Sequence, residues 1–248
     1  MRRYWPTAIT LAFAMAGFAA RDEPLVVIES NAPALAVGTV VADGASVTLP
    51  DKARVVLAGE SGQLVTLTGP FNGVPPAKKT GDSGGRVLTA ISSLVNTNKN
   101  ETGSVGAVRA ADVAWRSDTA KSLQDVLAVD VANGGDVCLY DANAGALVRN
   151  PASPPGTVTI HAMDGDQTAK FDWPKGAMRE PWPKDLPLGD GKAYIIEVTG
   201  QSEAAMATIH VLPAGKATSD LQRAAQLADN GCSDQAKLLL TVMAKGAK

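Results

Sequence analysis

The chain has 248 residues, of which 45% are hydrophobic and 4% aromatic. Its 23 Lys and Arg residues stand against 25 Asp and Glu, a formal net charge of −2, with both signs spread along the sequence. Binding to nucleic acid depends on clustered positive charge, so the composition argues against that class of partner. With so few aromatic residues, the cores must be built mainly from Val, Leu, Ile and Ala.

The first residues have the pattern of a secretory signal peptide. Arg2 and Arg3 precede an uncharged, mostly apolar stretch over residues 6–20. That stretch is shorter than the roughly 20 residues that a bilayer span needs, and it ends in the small residues that signal peptidase requires. We therefore predict a signal peptide over residues 1–19, cleaved after Ala19; an uncleaved anchor and a buried helix are the alternatives.

Export determines the predicted location of the protein. Without Arg2 and Arg3, 21 basic residues face 25 acidic ones, which gives a formal net charge of −4. No later segment is apolar for long enough to span a membrane. The sequence thus predicts a periplasmic or secreted chain without a transmembrane span in its mature form.

The two cysteines, Cys138 and Cys232, are far apart in the sequence. In an oxidising compartment two such residues predict one disulfide, and closing a loop of that length stabilises a fold by about 4 kcal/mol in the chain-entropy model. Two buried free thiols are the alternative. The spacing is not that of a zinc site.

Residues 22–75 predict a small all-β module, because short β-branched runs alternate with turn residues. The turn at Asp43-Gly44 predicts a hairpin of the type in which both central residues take positive φ. A second turn is predicted at Gly59 to Gly62. The predicted strands are Leu25–Ile28, Leu35–Ala42, Val47–Leu49, Val55–Leu57 and Leu64–Leu67.

Residues 76–115 predict a linker that contains one short helix. Apolar residues recur at helical spacing over Gly85–Val95, and Asp82 or Ser83 can cap the first turn. The following segment, Asn96–Gly106, is polar and poor in hydrophobic residues, which predicts a mobile connection.

Residues 116–215 predict a second β-rich domain made of three strand pairs. Each pair flanks a cluster of turn residues. The predicted strands are Leu127–Val131 with Val137–Tyr140, Thr157–His161 with Ala169–Trp173, and Ala193–Val198 with Ala207–Leu212.

Residues 216–248 change to a helical period and predict an αα-hairpin. Asn230-Gly231 should end the first helix, and Ser233 should cap the second. A Cys138–Cys232 bond would tie the elbow of this hairpin to the second β domain. The predicted fold class is therefore mainly β, with a short linker helix and a C-terminal helical hairpin.

The string Gly81-Asp82-Ser83-Gly84-Gly85 resembles the sequence around the nucleophile of chymotrypsin-like proteases. Arg86 stands where that family usually has Pro, and both histidines, His161 and His210, follow the serine instead of preceding it. A triad is defined by geometry, so a serine hydrolase remains an alternative. A glycine turn before a capped helix explains the same string, and we predict no catalytic residue and no enzyme.

Two further patterns have a functional and a structural interpretation. His161 and His210 lie on predicted strands, with Asp164 and Asp166 near the first, but the ligand set is too small for a metal site. A hairpin turn explains the Asp-Gly-Asp string, so we predict neither metal nor cofactor. Trp173 and Trp182, each followed by Pro, are candidate contact residues for a sugar or a partner, with packing at the end of a core as the alternative.

Predicted strands and glycine turns alternate from Val37-Gly38 through Asp43-Gly44 and Val47-Thr48-Leu49-Pro50 to Ser61-Gly62-Gln63-Leu64-Val65-Thr66-Leu67-Thr68-Gly69-Pro70. This alternation resembles that of FecR-like domains. FecR proteins are periplasmic partners of signalling receptors and sigma factors. The sequence predicts neither their usual cytoplasmic domain nor their transmembrane helix in this chain. The resemblance implies a non-catalytic periplasmic module over residues 22–75.

These patterns lead to one main hypothesis of function and two alternatives. The main hypothesis is a periplasmic interaction or sensory-accessory protein that binds an envelope protein partner. A binding protein for envelope glycan or another small ligand is the second, and a serine hydrolase at Ser83 is the third.

Overall fold

A computed structural model describes residues 24–76, 86–97, 115–215 and 217–247. Within these residues the chain forms 14 strands in four sheets together with five α-helices, so the predicted mainly β fold class is confirmed. The predicted signal peptide, the Gly81–Gly85 string with Ser83, and the linker beyond Thr97 lie outside the described residues. No helix within these ranges is long and apolar enough to cross a membrane.

The first β unit comprises residues 24–76. Its main sheet is antiparallel with the strand order β2-β1-β4-β5, and β3 pairs with β6 in a separate two-stranded sheet. The predicted hairpin around Gly59 to Gly62 is confirmed as the β4–β5 pair. The strands are β1 (Leu25–Ser30), β2 (Val40–Val41), β3 (Val47–Leu49), β4 (Arg54–Gly59), β5 (Leu64–Thr68) and β6 (Phe71–Gly73).

The predicted strand Leu35–Ala42 is wrong over most of its length, since only Val40–Val41 pairs with β1. Gly38 takes a φ of 89°, and its N–H donates to the carbonyl of Val27. The chain is thereby turned back onto β1 before an extended strand can form. Local β-propensity is overruled here by a glycine turn that tertiary hydrogen bonds stabilise.

The predicted Asp43-Gly44 hairpin is also wrong. A turn does form, with the Ala45 N–H donating to the Ala42 carbonyl, but only Gly44 takes a positive φ. The type I′ hairpin turn needs positive φ at both central residues. Accordingly β2 and β3 do not pair with each other; they join different sheets.

The second β unit comprises residues 129–211. A five-stranded sheet has the order β11-β10-β13-β14-β8, and a three-stranded sheet has the order β12-β9-β7. Buried residues from both sheets form one core. The strands are β7 (Val129–Asp130), β8 (Gly135–Leu139), β9 (Ala146–Val148), β10 (Gly156–Ala162), β11 (Thr168–Trp173), β12 (Arg179–Pro181), β13 (Ala193–Val198) and β14 (Ala205–Val211).

Two of the three predicted strand pairs are confirmed, β10 with β11 and β13 with β14. The third is wrong, because β7 pairs in parallel with β9 while β8 pairs in parallel with β14. Gly134, with a φ of 60°, passes so close to β14 that an added Cβ would lie 2.2 Å from the Met206 carbonyl oxygen. The turn therefore sends β8 to the edge of the other sheet.

The helices are α1 (Arg86–Thr97), α2 (115–119), α3 (Leu123–Val126), α4 (Asp220–Asp229) and α5 (Ser233–Gly246). The predicted linker helix and the predicted C-terminal hairpin are confirmed. Gly231, with a φ of 84°, follows α4 as expected. The predicted Ser233 cap is wrong, since Cys232 is the N-cap of α5 and Ser233 is already helical. Ser219 caps α4 in a capping box with Gln222.

One core cluster connects the two β units through the helices. It combines one face of the first sheet, the apolar faces of α1, α4 and α5, and side chains next to the second sheet. Its members include Val26, Ile28, Val56, Ala58, Leu88, Ile91, Leu94, Val126, Cys138, Leu212, Leu221, Leu227, Cys232 and Leu239. The helical hairpin therefore packs against both β units and forms part of a shared interior.

The predicted Cys138–Cys232 disulfide is present, with the two Cα atoms 6.0 Å apart. It joins β8 to the elbow between α4 and α5, 94 residues later in the chain. Both residues are fully buried in the shared core cluster. The disulfide thus fixes the helical hairpin to the second β unit.

Candidate interaction surface

The five-stranded sheet has one covered face and one exposed face. Alternate residues of β10, β11, β13 and β14 point into the core, as expected for strands with a period of two. The residues between them form what we call the outer face, and none of them is buried. The outer face consists of Thr157, Thr159, His161, Thr168, Lys170, Asp172, Ala193, Ile195, Glu197, Met206, Thr208 and His210.

Hydrogen bonds and ion pairs order the polar side chains of the outer face. Nε2 of His210 lies 3.0 Å from Oδ1 of Asp136, and the Thr157 hydroxyl donates to Asp172 at 2.8 Å. His161 has Nδ1 3.0 Å from the Thr168 hydroxyl oxygen. Between these polar groups, Met206 is 57% exposed. The surface therefore combines an exposed apolar side chain with hydrogen-bonded polar groups, as protein-binding surfaces do.

A shallow groove of about 330 Å³ borders one end of the outer face, beside the loop between β13 and β14. Hydroxyl and carboxylate groups dominate its lining, and no aromatic ring contributes to it. The lining residues include Thr157, Thr159, Glu197, Thr199, Gln201, Ser202 and Glu203. Such a groove offers hydrogen-bond partners to a polar ligand but no stacking platform.

His161 and His210 lie on β10 and β14, which β13 separates. Each faces its own partner, and the described residues contain no group of three or more His, Cys, Asp or Glu placed to hold a metal ion. Asp164 lies in the β10–β11 turn, 3.0 Å from Nζ of Lys192. The hydrogen bond from Lys192 lowers the pKa of Asp164. The Asp-Gly-Asp string thus forms a surface turn whose first carboxylate is paired with a lysine.

Trp173 and Trp182, the predicted contact residues, are both buried in the core of the second β unit. The Nε1 of Trp173 donates to the Ala177 carbonyl and that of Trp182 to the Leu186 carbonyl. Trp182 also packs edge-on against Tyr194, with ring centroids 5.1 Å apart. Both tryptophans therefore pack in the core, which was the alternative to their prediction as contact residues. Neither indole is accessible for stacking on a ligand.

Arg149, which the sequence analysis did not single out, holds the loop around Trp173. Its guanidinium carbon lies 5.0 Å from the Trp173 ring centroid, and its nitrogens donate to the carbonyls of Pro154 and Pro174. Burial lowers the pKa of Arg149, although it remains charged because an arginine pKa is so high. The buried guanidinium holds the loop in place and is not accessible to a ligand.

Gln235 is the second residue that sequence reasoning missed. It is 4% exposed, accepts a hydrogen bond from the Cys138 N–H and donates to the Cys138 and Val126 carbonyls. It thereby satisfies the backbone of Cys138 in β8, an edge strand whose unpaired backbone groups could otherwise pair with another strand. The sequence signal that could have indicated this role is a polar Gln next to the apolar positions of the predicted second C-terminal helix.

Comparison with known proteins gives no match, whether against family models, curated proteins or solved structures. The FecR-like resemblance of residues 22–75 therefore stays a prediction. The assignment of function depends on the surface described above.

Proposed function

We propose that this chain is a non-catalytic interaction or sensory-accessory protein of the bacterial envelope, acting in the periplasm or after secretion. In this proposal an envelope protein partner binds to the outer face of the five-stranded sheet. The signal-peptide pattern of residues 1–19, the disulfide and the FecR-like cadence of residues 22–75 support the location.

The observation that carries the proposal is the unequal covering of the two main sheets. Both faces of the first sheet are buried, one in the shared core cluster and one in a core of its own. Within the described residues nothing buries the outer face of the five-stranded sheet in this way, although Gln235 of α5 binds the backbone of Cys138 at the β8 edge. A sheet face with an exposed methionine among fixed polar groups offers a surface on which a partner can pack.

Site-directed photocrosslinking in living cells tests this proposal. A photoreactive amino acid is placed at Glu197 or Thr208 on the outer face and, as the control, at Asp51, an exposed residue of the first β unit. Adducts are captured by an affinity tag and identified by mass spectrometry. We expect one specific envelope protein from the two outer-face positions and not from Asp51.

Two results would count against the proposal. Recovery of the same abundant proteins from all three positions would mean that the outer face has no dedicated partner. Specific adducts from Asp51 alone would move the partner surface to the first β unit.

A second candidate function, binding of an envelope glycan or another small polar ligand, is favoured by the groove beside the β13–β14 loop. Its hydroxyl and carboxylate groups can hydrogen-bond sugar hydroxyls. Calorimetric titration of the purified protein with envelope oligosaccharides tests this candidate, with Glu197→Gln as the site variant and Glu29→Gln as the control. Heat that Glu197→Gln abolishes and Glu29→Gln leaves unchanged would support it; no heat with any glycan would remove it.

A further inference from the structure

The two edges of the five-stranded sheet are not equivalent. The β8 edge is closed at Cys138, because Gln235 binds the backbone N–H and carbonyl of that residue. The β11 edge pairs with β10 over six residues, and no strand within the described residues pairs with its other side. An open edge of this length carries free N–H and carbonyl groups that can accept another strand.

We infer that two copies of this chain associate through β11, forming an antiparallel strand pair about a two-fold axis at Phe171. The pairing of equivalent strands is the isologous arrangement that closed dimers use. It would join the two five-stranded sheets into one continuous sheet. The inference is independent of the proposed envelope partner.

Symmetry restricts the register of such a pair. In a continuous sheet the outward residues of one copy must lie opposite outward residues of the other, because side chains alternate between the faces. The axis therefore passes through a residue of β11 and not between two residues. Lys170, Phe171 and Asp172 are the three central choices.

Charge selects among these choices. An axis at Lys170 places two lysines opposite each other, and an axis at Asp172 does the same with two aspartates; like charges directly opposite destabilise a strand pair. With the axis at Phe171, Lys170 of each copy lies opposite Asp172 of the other. This register forms two complementary charge pairs on the outer face.

The side chains of β11 are available for these contacts. Lys170 is exposed and forms no ion pair within the part of the chain that the structure describes. Asp172 is also exposed, and its one hydrogen bond of Oδ1, with the Thr157 hydroxyl, leaves Oδ2 for a lysine.

The inward side of β11 favours the same register. Phe171 and Ala169 belong to the margin of the core and are only partly buried. With the axis at Phe171, the two phenylalanines meet across the new strand pair, and each Ala169 lies opposite Trp173 of the other copy. The second copy would thus cover the exposed margin of the core, while both outer faces remain open on the same side of the joined sheet.

Sedimentation velocity of the purified, disulfide-bonded chain over a concentration series tests the inference. The variants are Lys170→Glu, Asp172→Lys and the double exchange K170E/D172K. Lys52→Glu on the first β unit is the control that matches the charge change of Lys170→Glu. Each single exchange places like charges opposite each other, and the double exchange restores opposite charges. Thr157→Val controls for loss of the hydrogen bond to Asp172.

We expect the wild-type chain, Lys52→Glu and Thr157→Val to dimerise alike, and each single β11 exchange to weaken dimerisation by about tenfold or more. The double exchange should return the dimer to near wild-type affinity. A wild-type chain that stays monomeric at every concentration would overturn the inference, as would single exchanges that dimerise normally or a double exchange that fails to recover. Because no other protein is present, this result is separate from the crosslinking test of an envelope partner.

Discussion

The two β units differ in how many faces of their main sheet are buried. The strands β1 and β4 of the first unit are buried on both faces, so that neighbours such as Val56 and Leu57 are both inaccessible. In the second unit, β13 alternates between a buried Ile196 and an accessible Ile195. Helices α1 and α5 cover one face of the first sheet, and α5 contacts the second sheet at its β8 edge.

The comparison shows where function can lie. A sheet enclosed on both faces has little free surface for recognition, whereas a sheet with one open face keeps its backbone rigid and its side chains accessible. Recognition surfaces are most effective when a fixed scaffold positions them. The contrast in cover, more than any single residue, is the reason for assigning the partner surface to the second unit.

The largest expected effect comes from removing the disulfide between the helical hairpin and the second β unit. Replacing both cysteines, Cys138→Ala with Cys232→Ala, removes a cross-link that closes a 94-residue separation. We expect the free energy of unfolding to fall by about 4 kcal/mol, because the unfolded chain regains the entropy of the open loop. Urea unfolding of the double variant and of the oxidised wild type measures the difference. A loss below about 1 kcal/mol would mean that the disulfide adds little to the shared core.

The contrast between covered and open faces can be measured on adjacent residues. Ile196→Ala should cost about 3 kcal/mol of unfolding free energy, since it empties a fully buried site, while Ile195→Ala should cost less than about 1 kcal/mol. In the first unit, Val56→Ala and Leu57→Ala should each cost about 2 kcal/mol or more. Denaturant unfolding of the four variants checks this pattern. Equal costs at Ile195 and Ile196 would show that the outer face is covered after all.

The closed edge of the second sheet offers a third test. Gln235→Leu keeps the size of the side chain but leaves the Cys138 N–H buried without its acceptor. We expect a loss of about 2 kcal/mol, since an unsatisfied buried donor retains its desolvation cost. Gln201→Leu, at an exposed loop position, is the matched control and should change stability by less than about 0.5 kcal/mol. Unfolding curves that do not separate the two variants would contradict the role given to Gln235.

The smallest expected effect is at α3, which joins α2 to the second unit. Burial raises the pKa of Asp125, but hydrogen bonds from the Lys121 N–H and from Ser122 outweigh it, so the net shift is downward. A lowered pKa means that Asp125 contributes its full stability above about pH 4 and loses it as the pH falls further. Asp125→Asn should lower stability by about 1 kcal/mol at pH 7 and flatten the acid limb of the profile. An acid limb identical to that of the wild type would contradict this assignment.

Much of the local structure could be predicted because, in these segments, the local sequence pattern favours the same element that tertiary packing requires. The helical period of residues 216–248 and the glycine after Asn230 predict both C-terminal helices. The β4–β5 and β10–β11 hairpins follow from strands that flank a turn. Cysteine number, together with the export pattern, predicts the disulfide.

The errors share a physical cause, which is that strand partners are chosen over long distances. The Asp43-Gly44 and Gly134 turns join strands of different sheets, and nothing in a local pattern shows this. Likewise, alternation along β13 predicts which residues point outward, but not whether another element covers them. The position of Trp173 was ambiguous for a related reason, because Arg149, whose guanidinium lies against its ring, is 24 residues away in the sequence.

Oxidative footprinting of two methionines tests the central claim most directly. Met206 lies on the outer face and Met163 in the β10–β11 turn, and both are 57% exposed. In the purified protein the two should oxidise at similar rates. In intact cells we predict that Met206 is protected while Met163 is not, because a partner covers the outer face. Equal oxidation of both residues in cells, measured by mass spectrometry, would contradict the assignment of this face as the partner surface.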